Sequence, residues 1–134
     1  MDNTIKYALA LNVLGDKINA VSTELKEAEK LASELKYNEL LKHKSVLESA
    51  ISRYASIRNE LAVLDRPAVI EREHHQLVDA FDELIHGTKL MDQGLNLKDM
   101  KVTPEKILNG FQLQLKSQKD TMDVTNRIVE KLSK

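Results

Sequence analysis

Leu11, Leu14, Ile18, Val21, Leu25, Ala28, Ala32 and Leu35 follow one another at alternating steps of three and four. About 3.6 residues complete a helical turn, so such steps hold side chains on one stripe of an α-helix. Three later segments keep the same rule. They read Leu40, His43, Leu47, Ala50, Tyr54, Ile57, Leu61, Leu64; then Ile70, His74, Leu77, Phe81, Leu84, Thr88, Met91; then Leu108, Phe111, Leu115, Gln118, Met122, Thr125, Val129, Leu132. Apolar neighbours such as Leu31, Val46, Ile51, Val78, Ile85, Ile107, Val124 and Ile128 widen each stripe. A widened stripe suits a bundle core better than a two-stranded seam. The expected fold is all-α: an antiparallel up-down-up-down four-helix bundle, with helices over 3–35, 39–64, 67–93 and 104–133, in a single domain spanning 1–134.

Composition supports that class. The 134 residues are 42% hydrophobic and 31% charged, with four Gly and two Pro. The chain is thus too apolar for disorder and too poor in turn formers for many short strands. Aromatics make up only 4%, so aliphatic side chains and Ala must fill the core. The formal charge is −1, and no Lys/Arg cluster interleaves with aromatics, which argues against nucleic acid as a partner. Cysteine is absent, which removes disulfides, thiolate zinc sites and Cys nucleophiles. The longest nearly apolar stretch, Tyr7 to Leu14, is too short to span a bilayer, so no membrane role is expected. The expected compartment is the cytoplasm, although a cysteine-free chain is also compatible with secretion.

The helix boundaries have markers of unequal quality. Asp2 or Asn3 can cap the first helix. Asp65-Arg66-Pro67 and Thr103-Pro104-Glu105 each place a capping side chain before a proline, which the first turn tolerates. Gly94 suits the left-handed residue that ends a helix, with Leu95 near Leu90 and a loop over 95–103. Between Leu35 and Leu40 the register slips, because an unbroken 3-4 pattern would put Glu39 and Lys42 on the stripe. A turn at 36–38 accounts for the slip. The alternative is one N-terminal helix over 3–64, about 90 Å long at ~1.5 Å per residue, in a dimeric coiled-coil bundle with a stutter.

Polar residues on the stripes are the functional candidates, since a buried polar group needs a partner. They are His43, His74, Thr88, Gln118 and Thr125. The histidines fit half-exposed positions near bundle ends, while Gln118 and Thr125 fit polar residues that fix register. Glu71-Arg72-Glu73-His74 and Glu83-Leu84-Ile85-His86 both set a carboxylate one turn from an imidazole. Di-iron bundles use that spacing on two helices, with further acids from two others. Here both copies fall on one segment and the stripes themselves carry no acid, which weighs against a paired metal site. His75, Asp79, Asp82 and His86 could line an outer face that picks up a divalent cation, but more often such a row is a solvated surface. Gly87 can admit a close neighbour or loosen its helix; Gly15 and Gly110 also interrupt helices.

No His-Glu-x-x-His, phosphate loop or nucleophile signature is present. The expected function is therefore a non-catalytic helical interaction or adaptor protein, working through contacts with itself or a protein partner and using no cofactor. The alternative is a bundle that binds a small ligand or metal through His and Glu residues of the third helix.

Overall fold

The computed structural model describes residues 3–133 and is mostly helical, at 84%. Five α-helices pack on one another: α1 (Asn3–Ser33), α2 (Tyr37–Leu41), α3 (Lys44–Ala62), α4 (Glu71–Gln93) and α5 (Pro104–Leu132). A 3-10 turn (Ala68–Ile70) leads into α4, and a minimal hairpin of β1 (Leu95–Asn96) and β2 (Lys101–Val102) joins α4 to α5. α4 packs along both α3 and α5. α1 lies against α3 and, over a thinner seam, against α5, while α2 bridges α1 to the hairpin.

The register slip after Leu35 is a real chain reversal, so the 3–64 helix does not form. Lys36 N–H donates to the Leu31 carbonyl at 2.8 Å and Leu35 N–H to Ala32 at 3.1 Å, the paired bonds of a Schellman ending. Leu35 takes the left-handed position that this ending requires, at φ 59°. The expected second helix divides in two, because the turn at Lys42–His43 separates α2 from α3.

Other boundaries also shift. Pro67 precedes the 3-10 turn rather than opening α4, and no side chain caps it, so Asp65 does not cap. Thr103 stands before Pro104 as expected but makes no side-chain cap bond. Asp2 lies outside the described residues, and Asn3 is the first residue of α1. Gly94 is right-handed, at φ −72°, so it is not a left-handed cap. It is small for another reason: a Cβ there would meet Ile107 Cγ1 at 2.7 Å. The stretch 95–103 holds the hairpin, pinned by Asn96 Oδ1 accepting the Asp99 N–H at 3.1 Å.

The stripe of the third segment is buried along its whole length, from Ile70 to Met91. The stripe of α5 is not. The helix is rotated by about one residue, so that Ile107, Gly110, Gln114, Ser117, Val124 and Ile128 face inward. Leu115, Met122 and Val129, expected in the core, lie 50–65% exposed. The cause is the crossing with α4. A Cβ on Gly87 would meet the Gly110 carbonyl at 2.8 Å, and one on Gly110 would meet the Met91 amide nitrogen at 2.8 Å. The two backbones touch there, and only the face of α5 carrying Gly110 and Ser117 is low enough to fit.

Candidate functional site

The polar residues singled out by sequence do not converge. His74 is buried rather than half-exposed. Its Nδ1 lies 3.0 Å from the Tyr7 hydroxyl, and its ring makes a second hydrogen bond to the Ala62 backbone. A neutral ring satisfies both: one nitrogen accepts from Tyr7 and the other donates to the Ala62 carbonyl. Burial pushes the His74 pKa down, with Arg66 and His75 acting in the same direction and Glu71 opposing. Burial likewise pushes the Tyr7 phenol up to about 12. The pair is a satisfied core contact between α1 and α4.

Glu71 points away from His74 to the surface, where Arg66 grips it through two bonds of 2.8 Å. His75 bonds the same carboxylate at 3.0 Å. The Arg66 clamp, with His75 as a lesser contributor, holds the Glu71 pKa at about 2. Asp82 pairs with Arg58 and Glu83 with Lys116. Asp79 lies in an α4–α5 recess with Glu83, Asp120 and Asp123, where Arg127 supplies a cation. His86 is exposed. Among the described residues, no three His, Asp or Glu side chains gather where a metal could be held.

Of the buried polar groups, sequence reasoning singled out His74 and Thr88 but missed Glu73, Gln114 and Ser117. Glu73 is 5% exposed on α4, and Lys131 of α5 reaches it at 3.0 Å and lowers its pKa. The core side of this helix therefore does carry an acid. Gln114 donates to Thr88 Oγ1 at 2.8 Å, and Thr88 donates to the Leu84 carbonyl at 2.9 Å. Gln118 and Thr125 are only half-buried, and Gln118 donates to Glu29 of α1 at 3.1 Å. Among the described residues, Gln114 Oε1 and Thr121 Oγ1 are buried without a hydrogen-bond partner. His43 is half-buried beside α2, as expected.

What the fold does assemble is a groove. From Thr4 to Ser22, α1 stands off from the outer face of α5, leaving two recesses of about 510 and 340 Å³. Ile5, Leu9, Leu11, Val129 and Leu132 line the first; Ile18, Phe81, Leu84, Gln118 and Met122 line the second. Gly15 lines both, with nothing within 4 Å of where its Cβ would be. Among the described residues, no Asp, Glu, Lys, Arg or His lines either recess, in a chain that is 31% charged. Volumes of this size suit a small ligand or a row of inserted side chains. The signal for this site was present in the sequence, because α5 carries aliphatics on two faces and only one can be inward.

No protein-family model, no curated protein and no solved structure matches this chain. Among the described residues, no helix is long and apolar enough to cross a membrane.

Proposed function

We propose that this chain is a non-catalytic helical interaction module, cytoplasmic, whose four long helices make an up-down-up-down bundle with one seam left open for docking. The observation that carries the reading is the α1–α5 groove, uncharged among the described residues, with the exposed aliphatics Ile5, Leu9, Leu115, Met122 and Val129 on its two helices. Charge depletion with clustered aliphatics is the composition of an interface core, and a patch of exposed apolar residues on a small protein marks a contact surface. Helix-in-groove recognition uses anchors spaced by one or two turns; Ile5 and Leu9 stand one turn apart, and Leu115, Met122 and Val129 two turns apart. Among the described residues, no His or Glu of α4 lines this face; Tyr7, Arg66, Lys131 and Lys116 hold His74, Glu71, Glu73 and Glu83, and His86 is exposed elsewhere on the helix.

The test is a variant carrying Leu115→Glu, Met122→Glu and Val129→Glu. All three positions are at least half exposed, so helix content by circular dichroism should be unchanged. Fluorescence of an apolar dye such as ANS is expected to rise with the wild-type chain, and self-association is expected in light scattering. The variant should lose both. Equal dye binding and equal mass for the two proteins would overturn the reading.

A further inference from the structure

We propose that the occupant of the α1–α5 groove is a second copy of this chain, related by a two-fold axis, an inference that rests on the groove being a docking surface at all. Ile5, Leu9 and Val13 recur at i, i+4 and i+8 on α1 and are each more than half exposed. They form a ridge of the kind that fills an apolar groove. Ile5 and Leu9 also line the groove itself, so ridge and recess share one face. A two-fold axis through such a face places each copy's ridge in the other's recess, which is the self-complementarity that an isologous interface needs.

Electrostatics select the same pairing. Two copies meeting here bring no charged side chain among the described lining residues out of water, and so meet no unpaired-charge penalty there. Elsewhere the surface is dense with ion pairs such as Lys17–Glu60, Arg58–Asp82 and Lys116–Glu83. The formal net charge of −1 sets up almost no long-range repulsion between copies. Gly15 leaves an opening at the middle of the face, where the partner's side chains can enter.

Size sets the strength. The face runs for roughly 17 residues along two adjacent helices, about 25 Å by 20 Å at ~1.5 Å per residue and ~10 Å per helix. That is a flat footprint of about 500 Å² per copy, near the lower limit of roughly 1,000 Å² in total for a specific interface. The dimer is therefore concentration-dependent rather than obligate.

Light scattering over a dilution series is expected to move from the 15.2 kDa chain mass toward twice that value as concentration rises. Leu9→Lys and Val129→Glu should each weaken association at least ten-fold while keeping helix content. Mixing the two variants should restore much of it, because only the mixed pair sets a cation against an anion across the groove. Val69→Glu, at an exposed position away from the face, should dimerise like the wild type. A wild-type chain that stays monomeric to millimolar concentration, or a dimer indifferent to both groove substitutions, overturns the second copy. A monomer that floats with neutral phospholipid vesicles overturns it in favour of a lipid surface. If that monomer still loses ANS binding on Leu115→Glu, Met122→Glu and Val129→Glu, only the second copy falls. If dye binding is indifferent as well, the docking reading falls with it.

Discussion

Gly87 of α4 and Gly110 of α5 face each other with no side chain between them, and each occupies the space the other's Cβ would need. This contact sets the rotation of α5, and so decides which of its two apolar faces is buried. Gly110→Ala is expected to destabilise the fold by about 1–3 kcal/mol, since overpacking must push two backbones apart. That exceeds the ~1 kcal/mol that alanine gains over glycine inside a helix. Gly15→Ala, with open space above it, should stabilise by up to ~1 kcal/mol. Urea denaturation of the two variants should give shifts of opposite sign; shifts of the same sign would contradict the crossing geometry.

Leu35 holds a left-handed conformation that costs a branched side chain roughly 1–2 kcal/mol and costs glycine almost nothing. Its side chain is 56% exposed, so little packing is lost on truncation. Leu35→Gly should stabilise by about 1 kcal/mol, partly offset by the greater freedom of glycine in the unfolded chain. The midpoint of denaturation should rise with an unchanged m-value.

Tyr7 and His74 predict both a stability loss and a pH dependence. Tyr7→Phe leaves a buried ring nitrogen without its partner and should destabilise by about 1–3 kcal/mol. His74 is held neutral in the fold, below its ordinary pKa of 6.5. As pH falls through 6.5 the unfolded chain takes up a proton that the folded chain refuses, so stability declines until the folded pKa is reached. His74→Gln should flatten the stability difference between pH 7.5 and pH 5.5 relative to wild type. Glu29, whose pKa burial raises, is common to both proteins and cancels in that comparison. An unchanged slope in the variant would show that another group is responsible.

Thr121 Oγ1 is buried without a hydrogen-bond partner among the described residues. An unsatisfied hydroxyl costs on the order of 1 kcal/mol or more, and valine has nearly the same shape without it. Thr121→Val should therefore raise the melting temperature, and a clear fall would mean that the hydroxyl is satisfied in solution.

The stripe of α4 was legible in sequence because large apolar residues mark five of its seven positions, and all seven, His74 and Thr88 included, are buried. α5 was misread for a physical reason. A 3-4 pattern ranks faces by side-chain size, whereas a close helix crossing selects the smallest residues, here Gly110 opposite Gly87, with Ser117 two turns further along the same buried face. Two glycines inside adjacent helices were the available signal. The reversal near Leu35 was legible as a break in register, but its left-handed form was not, since leucine is a poor choice there. Glu73 could not be anticipated as buried, because its partner Lys131 lies 58 residues away and only the assembled α4–α5 pair brings them together. The groove escaped notice for the reason that α5 was misread: its lining was assigned to the core.

Of the five helices α1 is synthesised first, yet its second wall is made last. Tyr7 meets its partner 67 residues later in the chain, and Glu29 meets Gln118 after 89. α4 and α5, by contrast, are joined by a short hairpin, and local contacts of that kind assemble fastest. The α4–α5 pair is thus expected to form the platform, with the N-terminal half of α1 docking on it last. In native-state hydrogen exchange its amides should open at lower free energy than those flanking Gly87 and Gly110. That outcome would mean that the groove can change width without unfolding the remainder of the molecule.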